Sequence, residues 1–314
     1  MTVEQYLDSW LRETLPGTVR PSTEASYRYL VARHIVPEIG KIRLEKLTPN
    51  DLRALLRDKS KEISERGRPL STRTVAVLRR AFEQARRDEL IDRNVASLVS
   101  APRGKRKEVE PLDPDEARKL LDAARNNRLY ALYAVAVALG LRRGEALALR
   151  WEDIDSDART LRVAGSLQRI NGELLVSEPK TARSRRTIPL PNVCLEALIR
   201  HRANQTKEKL EAPIWPHPEL VFATSVGTPI EPRNLVRHFE ALCKRAGIRK
   251  VRFHDLRHTC ASLLLAQGVE PRVIMDTLGH TVIGTTLNLY THVLPTTRRE
   301  AANVMDRVLK GEGS

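Results

Sequence analysis

Cysteine is scarce: Cys194, Cys243 and Cys260 are the only three, and they stand far apart. That spacing offers neither the close pairs of a disulfide framework nor the ligand set of a zinc site, so the thiols are expected to be reduced and structural. Long apolar runs are also missing. The longest, Leu129 to Leu141, falls well short of the roughly 20 residues that span a bilayer and reads as a buried helix. Glu4, Asp8 and Glu13 interrupt the first turns of the chain, which excludes the apolar centre of a secretory signal and suggests a helix instead. There is no juxtamembrane polybasic block, lipidation signal, internal repeat or low-complexity tract. The expectation is a cytoplasmic protein with no membrane partner.

What is abundant is positive charge. Lysine and arginine number 54 against 39 acidic residues, a formal net charge of +15, and such a balance favours a polyanionic partner, nucleic acid before all others. At 314 residues with 41% apolar content the chain can build two ordinary domains, each with its own core.

The first hundred residues hold four apolar periodic stretches, the first carrying Val3, Tyr6, Leu7, Trp10 and Leu11 at helical spacing. The other three are expected to begin near Ser22, at Thr48 before Pro49 and Asp51, and at Ser71 before Val75, Leu78 and Phe82, each with a capping residue. Ser100 to Pro114 then brings three prolines, a glycine and mixed charge, the composition of a linker. The organisation expected is an all-α helical bundle over 1–99, a linker over 100–112 and a second, mainly α domain over 113–314. That second domain opens with a capped helix from Asp113 to Ala124. Its periodicity changes at Thr160–Ile170, Glu173–Glu178 and Arg185–Leu190, which read as a small three-stranded antiparallel sheet, the first two strands joined at Asn171-Gly172.

Towards the carboxyl end, His254 and Arg257 stand three residues apart and share one face of a helix, where they can grip an anion. Helices over Leu256–Ala266 and Pro271–Leu278, punctuated by Gly268 and Gly279, also fit a helix-turn-helix, so a DNA-binding regulator without catalysis stands as a second reading. Tyr290 lies in a further helical stretch that starts near Thr285 or Thr286.

Taken in order, Gly140-Leu141-Arg142-Arg143-Gly144-Glu145, Lys180, His254-x-x-Arg257, Leu278-Gly279-His280 and Tyr290 resemble the motifs of the tyrosine recombinases, the phage and transposon integrases. The similarity covers the whole second domain, and the helical first domain resembles the family's core-binding domain. The resemblance implies a DNA breaking-rejoining fold and phosphoryl transfer with no cofactor, metal or nucleotide. Tyr290 would be the nucleophile. Arg142 and Arg257 would clamp the scissile phosphate, a task suited to a planar fork that keeps its charge. Lys180 would protonate the departing 5′ oxygen, His254 would assist proton transfer from the tyrosine, and His280 would bond a nonbridging oxygen. Glu145 would play a supporting part by orienting its neighbours, and Arg183, Arg185 and Arg186 would be structural or phosphate contacts.

The same resemblance implies double-stranded DNA at a core attachment site as partner, with the two domains closing on it as a clamp of salt-dependent affinity. It further implies a homo-tetramer on synapsed DNA and an accessory DNA-bending or directionality factor. The segment after Tyr290 carries Ala301, Val304, Met305 and Val308 as an apolar stripe. Packing of that stripe in cis and docking on a neighbouring protomer both remain open, with trans docking favoured. The family's arm-binding domain is expected to be absent, because the core-binding resemblance begins almost at Met1. A type IB topoisomerase remains a rival of related chemistry, against which the long segment after Tyr290 argues.

Overall fold

The computed structural model describes residues 1–59, 70–101, 110–177 and 185–279. The chain divides into two compact units between Glu108 and Val109, with Ile170–Gly172 grouped apart from the rest of the second unit.

Among the described residues 1–101 the regular elements are helices. Thr2 and Gln5 form a capping box that starts α1 (Val3–Ser9), and the helix runs on through a wider turn over Trp10–Thr14. Pro21 opens α2 (Pro21–Leu30), a position where its fixed φ suits the helix and its missing N–H costs nothing. α3 (Val36–Ile39) is a single turn, and α4 (Pro49–Lys59) starts from Thr48, whose hydroxyl and amide exchange hydrogen bonds with Asp51. The fifth helix, α5 (Leu70–Arg87), buries Leu70, Val75, Leu78, Ala81 and Phe82 against the others. Ser71, expected to cap it, lies inside it instead, fully buried. The apolar period already includes Leu70, so the helix extends one residue ahead of the serine. Tyr6 reaches across to donate its hydroxyl to the Ala81 carbonyl at 2.5 Å.

In the second unit α6 (Pro114–Ala124) begins at the expected place, with Asp113 and Glu116 forming a capping box. α7 (Tyr130–Leu139) is apolar on every face because every face is covered; α9 and α11, described below, pack on it. It ends at Gly140, whose φ of 61° closes the helix in the left-handed region. One turn, α8 (Arg143–Leu147), follows.

The strands differ from the sequence reading in composition. The three-stranded antiparallel sheet consists of β1 (Ile154–Asp155), β2 (Thr160–Val163) and β5 (Arg186–Pro189), in the order β1-β2-β5, with Leu161 opposite Ile188. The run expected as one strand over 160–170 breaks at Ala164-Gly165, and its second half, β3 (Ser166–Ile170), pairs with β4 (Glu173–Ser177) as a separate hairpin. Gly165 lies at the break, where a Cβ would sit 2.9 Å from Val176 Cγ1. β1 was illegible because two residues followed by polar ones read as a turn. Asn171 and Gly172 join β3 to β4 with φ of 49° and 89°, the signature of the tight hairpin expected there.

Helices α9 (Asn192–Glu211), α10 (Pro232–Arg245), α11 (Asp255–Ala266) and α12 (Pro271–Leu278) complete the described fold. Phe239, Leu242 and Phe253 fill the main core from the α10 side, while Cys260 and Ala261 of α11 meet Ile274 and Leu278 of α12 in a smaller one. Among the described residues no helix is long and apolar enough to cross a membrane.

Candidate active site

Gly140 turns the chain out of α7, so that Leu141 enters the core and Arg142 becomes the residue that begins α8. From there the Arg142 side chain folds back on Glu145, one turn later. Its Nη1 donates to Glu145 Oε1 at 2.6 Å, its backbone N–H donates to Oε2 at 3.0 Å, and its Nη2 donates to the Gly279 carbonyl at 3.2 Å. Arg143, next in sequence, is exposed.

Glu145 itself is buried at 6% exposure and bridges two cations, since Arg186 Nη2 donates to its Oε2 at 3.1 Å. Burial alone would raise the carboxyl pKa; Arg186 and then Arg142 outweigh it, and the net shift is downward, so Glu145 is an anion at neutral pH.

Arg257 sits in the first turn of α11 and is 2% exposed. Its Nη1 donates to the Gly140 carbonyl at 2.9 Å and its Nη2 to the Leu278 carbonyl, which fixes the plane of the fork. Burial first, then the charge of Arg142, pushes its pKa down to about 9, still above neutrality. Two guanidinium groups, Arg142 and Arg186, pair with this buried carboxylate, and Arg257 lies near enough for its charge to feel both Arg142 and Glu145. Guanidinium groups gathered this closely favour an anion beside them.

His254 precedes α11 and remains accessible to solvent. The protein around it, then His258, Arg257 and Arg142, lower its pKa to about 4, so the imidazole is neutral at pH 7 and able to accept a proton. The His254 and His258 rings meet edge to face with centroids 5.5 Å apart.

The structure thus brings Arg142 and Glu145 together with His254 and Arg257 from two separate parts of the sequence, and adds Arg186 from a third. Lys180, His280 and Tyr290 lie outside the described residues, as do Arg183 and the apolar stripe from Ala301 to Val308. The glycines around Arg142 face protein: a Cβ on Gly140 would meet Leu278 Cδ2 at 2.3 Å, and one on Gly144 would meet Ser166 Oγ at 2.4 Å. Arg186, expected with Arg183 and Arg185 to be a structural or phosphate contact, is a buried member of the cluster. Its place in β5, two residues before Ile188 and therefore on the same side of the strand, was the available signal.

Residues 110–297 match the phage integrase family, and residues 2–60 match the phage integrase N-terminal SAM-like domain. An integrase of Saccharopolyspora erythraea is 29% identical over an alignment that spans 99% of this chain and 83% of that protein. A tyrosine recombinase XerC-like protein of Caldanaerobacter subterraneus is 34% identical over 63% of this chain and 54% of its own length. Among solved structures, the integrase of the Tn1549 transposon in complex with a circular intermediate DNA superposes with a TM-score of 0.81 at 23% identity, covering 97% of this chain and 99% of that one. A lambda integrase tetramer bound to a Holliday junction gives 0.68 at 22% identity, over 91% and 77%. The family match over residues 110–297, more than half of the chain, means that the chain belongs to the phage integrase family, the tyrosine-type site-specific DNA recombinases.

Proposed function

We propose that this recombinase cuts and rejoins double-stranded DNA at a core attachment site, with Tyr290 as nucleophile, to integrate or excise a phage genome or other mobile element. The observation that carries the reading is the cluster of Arg142, Arg186 and Arg257 around the buried Glu145, with the neutral His254 beside it. A scissile phosphodiester is an anion that gains charge on its oxygens in the transition state, and donors oriented before it arrives stabilise it most.

In the proposed sequence the Tyr290 oxygen attacks phosphorus, and the bond from phosphorus to the 5′ oxygen breaks. His254 takes the tyrosine proton, Lys180 gives one to the departing 5′ oxygen, and a 3′-phosphotyrosyl link remains. Arg142 and Arg257 hold the nonbridging oxygens, with His280 bonding one of them. Attack by the 5′-hydroxyl of another strand then reverses the step and frees Tyr290. A lysine suits the acid because it can exchange its proton, which arginine cannot do. Residues 1–99 would act as the core-binding domain, 100–112 as the linker and 113–314 as the catalytic domain. The charge of +15 suits a DNA partner. Assembly as a homo-tetramer through the stripe at Ala301, Val304, Met305 and Val308, and help from a DNA-bending or directionality factor, belong to the same proposal. The regulator reading is less favoured, because α11 places Leu256, Arg257 and Cys260 inside the protein and the relatives are recombinases.

The test is a nicked suicide duplex carrying the site. The parent protein should become covalently attached and migrate as a shifted band on a denaturing gel, and Tyr290→Phe should bind without attaching. Tight binding by both with attachment by neither would remove catalysis from the reading.

A further inference from the structure

Arg186 has no chemical task in the reaction above, yet its side chain is only 7% exposed. From β5 its Nε donates to the Thr277 carbonyl at 2.7 Å, and its Nη2 donates to Glu145 Oε2 at 3.1 Å. Its guanidinium also lies against Gly279, where an added Cβ would come within 3.0 Å of Nη1 and 3.2 Å of Cδ. One planar group therefore ties together the sheet, the first turn of α8 and the end of α12, one residue before His280.

These contacts close a ring. Glu145 receives Arg186 on one oxygen and Arg142 Nη1 on the other, while Arg142 Nη2 reaches the Gly279 carbonyl, beside the surface on which Arg186 rests. We propose that Arg186 is a positioning residue for strand cleavage, orienting Arg142 through Glu145 and through the Thr277–Gly279 end of α12 that both arginines contact. The inference rests on the reaction proposed above. Stability alone is a weak reason for such an arrangement, since a buried ion pair often contributes no more than well-packed apolar side chains of the same volume. Orientation is a stronger one, because the fork of an arginine donates in several fixed directions at once and an ammonium does not.

The experiment is single-turnover formation of the covalent adduct on the suicide duplex at saturating DNA. It compares the parent with Arg186→Met, Arg186→Lys, Glu145→Gln and the Glu145→Gln/Arg186→Met double variant, with DNA affinity and melting temperature measured alongside. Arg186→Met should slow adduct formation about 100-fold, the scale of a small misplacement of catalytic groups, while duplex affinity stays close to that of the parent. Arg186→Lys should recover part of the rate. The loss in the double variant should fall well short of the product of the two single losses, because both residues act on Arg142 through one carboxylate.

A folded Arg186→Met protein that cleaves at the parental rate overturns the proposal, and so do single losses that multiply in full. If Arg186→Met does not fold at the assay temperature, the lysine variant decides: parental speed overturns the proposal, and a reduced rate with unchanged affinity upholds it. A parent protein that forms no adduct overturns the underlying reaction and this inference with it. A parent that does, beside an equally fast Arg186→Met, overturns this inference alone.

Discussion

Two guanidinium groups converge on the carboxylate at position 145, and the energetics of the three are unequal. Arg142 keeps 37% of its side chain exposed, whereas Arg186 and Glu145 are buried at 7% and 6%. Screening by solvent makes the first pair a minor contributor; the second is the one whose rupture strands a charge in a shielded place. Glu145→Ala should therefore cost about 3–5 kcal/mol of folding stability, the scale for removing one partner of a buried ion pair. Urea unfolding measures it, and a loss below about 1 kcal/mol, the range of exposed pairs, would mean that Arg186 finds other compensation. The direction of the Glu145 shift adds a pH dependence. A carboxyl held low in the folded state, here by Arg186 and Arg142 against the effect of burial, stabilises the fold above its unfolded pKa and ceases to do so as pH falls through its folded value.

Among elements, the α7–α8 junction decides where Arg142 points. Gly140 adopts φ of 61° directly beneath Leu278 and Cys260, and its carbonyl is one of the two that hold Arg257. Gly140→Ala would force an L side chain into the left-handed region and press its methyl on Leu278, itself fully buried. The two effects together should destabilise the protein by at least about 2 kcal/mol, and denaturant midpoints would register the loss. An unchanged midpoint would show that α12 yields to the methyl at little cost. The β3–β4 hairpin makes the contrasting case, because its chemistry is local: Asn171 and Gly172 take the backbone angles their side chains tolerate, with nothing within 4 Å of a Cβ at Gly172.

For the molecule as a whole, the acid limb of stability should be set by histidine. His201, His238 and His258 have pKa values below the ordinary one through burial first, and His254 through the protein and the positive charges around it. An unfolded histidine binds a proton below about pH 6.5, which these four resist while folded. Between there and the folded value, about 4 for His254, the unfolded state holds more protons, so stability falls as pH falls. Melting temperature should drop steadily from pH 7 to pH 5, a window in which few other side chains titrate; a flat profile would refute the account.

Sequence alone determined the features that depend on neighbours in the chain. The capping box at Asp113, the Asn171-Gly172 turn, the burial of the α7 run and the helices on either side of Gly268 follow from local chemistry, and all were legible. The order of the recombinase motifs was legible too, since motif order is a property of the chain. Three things waited for the tertiary structure: the split of 160–170 between two sheets, the pairing of β1 with β2, and the selection of Arg186 from among its arginine neighbours. Each is settled by what lies across a contact between residues far apart in sequence. Gly165 lies against Val176, and Arg186 found Glu145 and Thr277 from positions 41 and 91 residues away. Periodicity can say that a strand has a buried side, and only packing decides which charge is buried there and with whom.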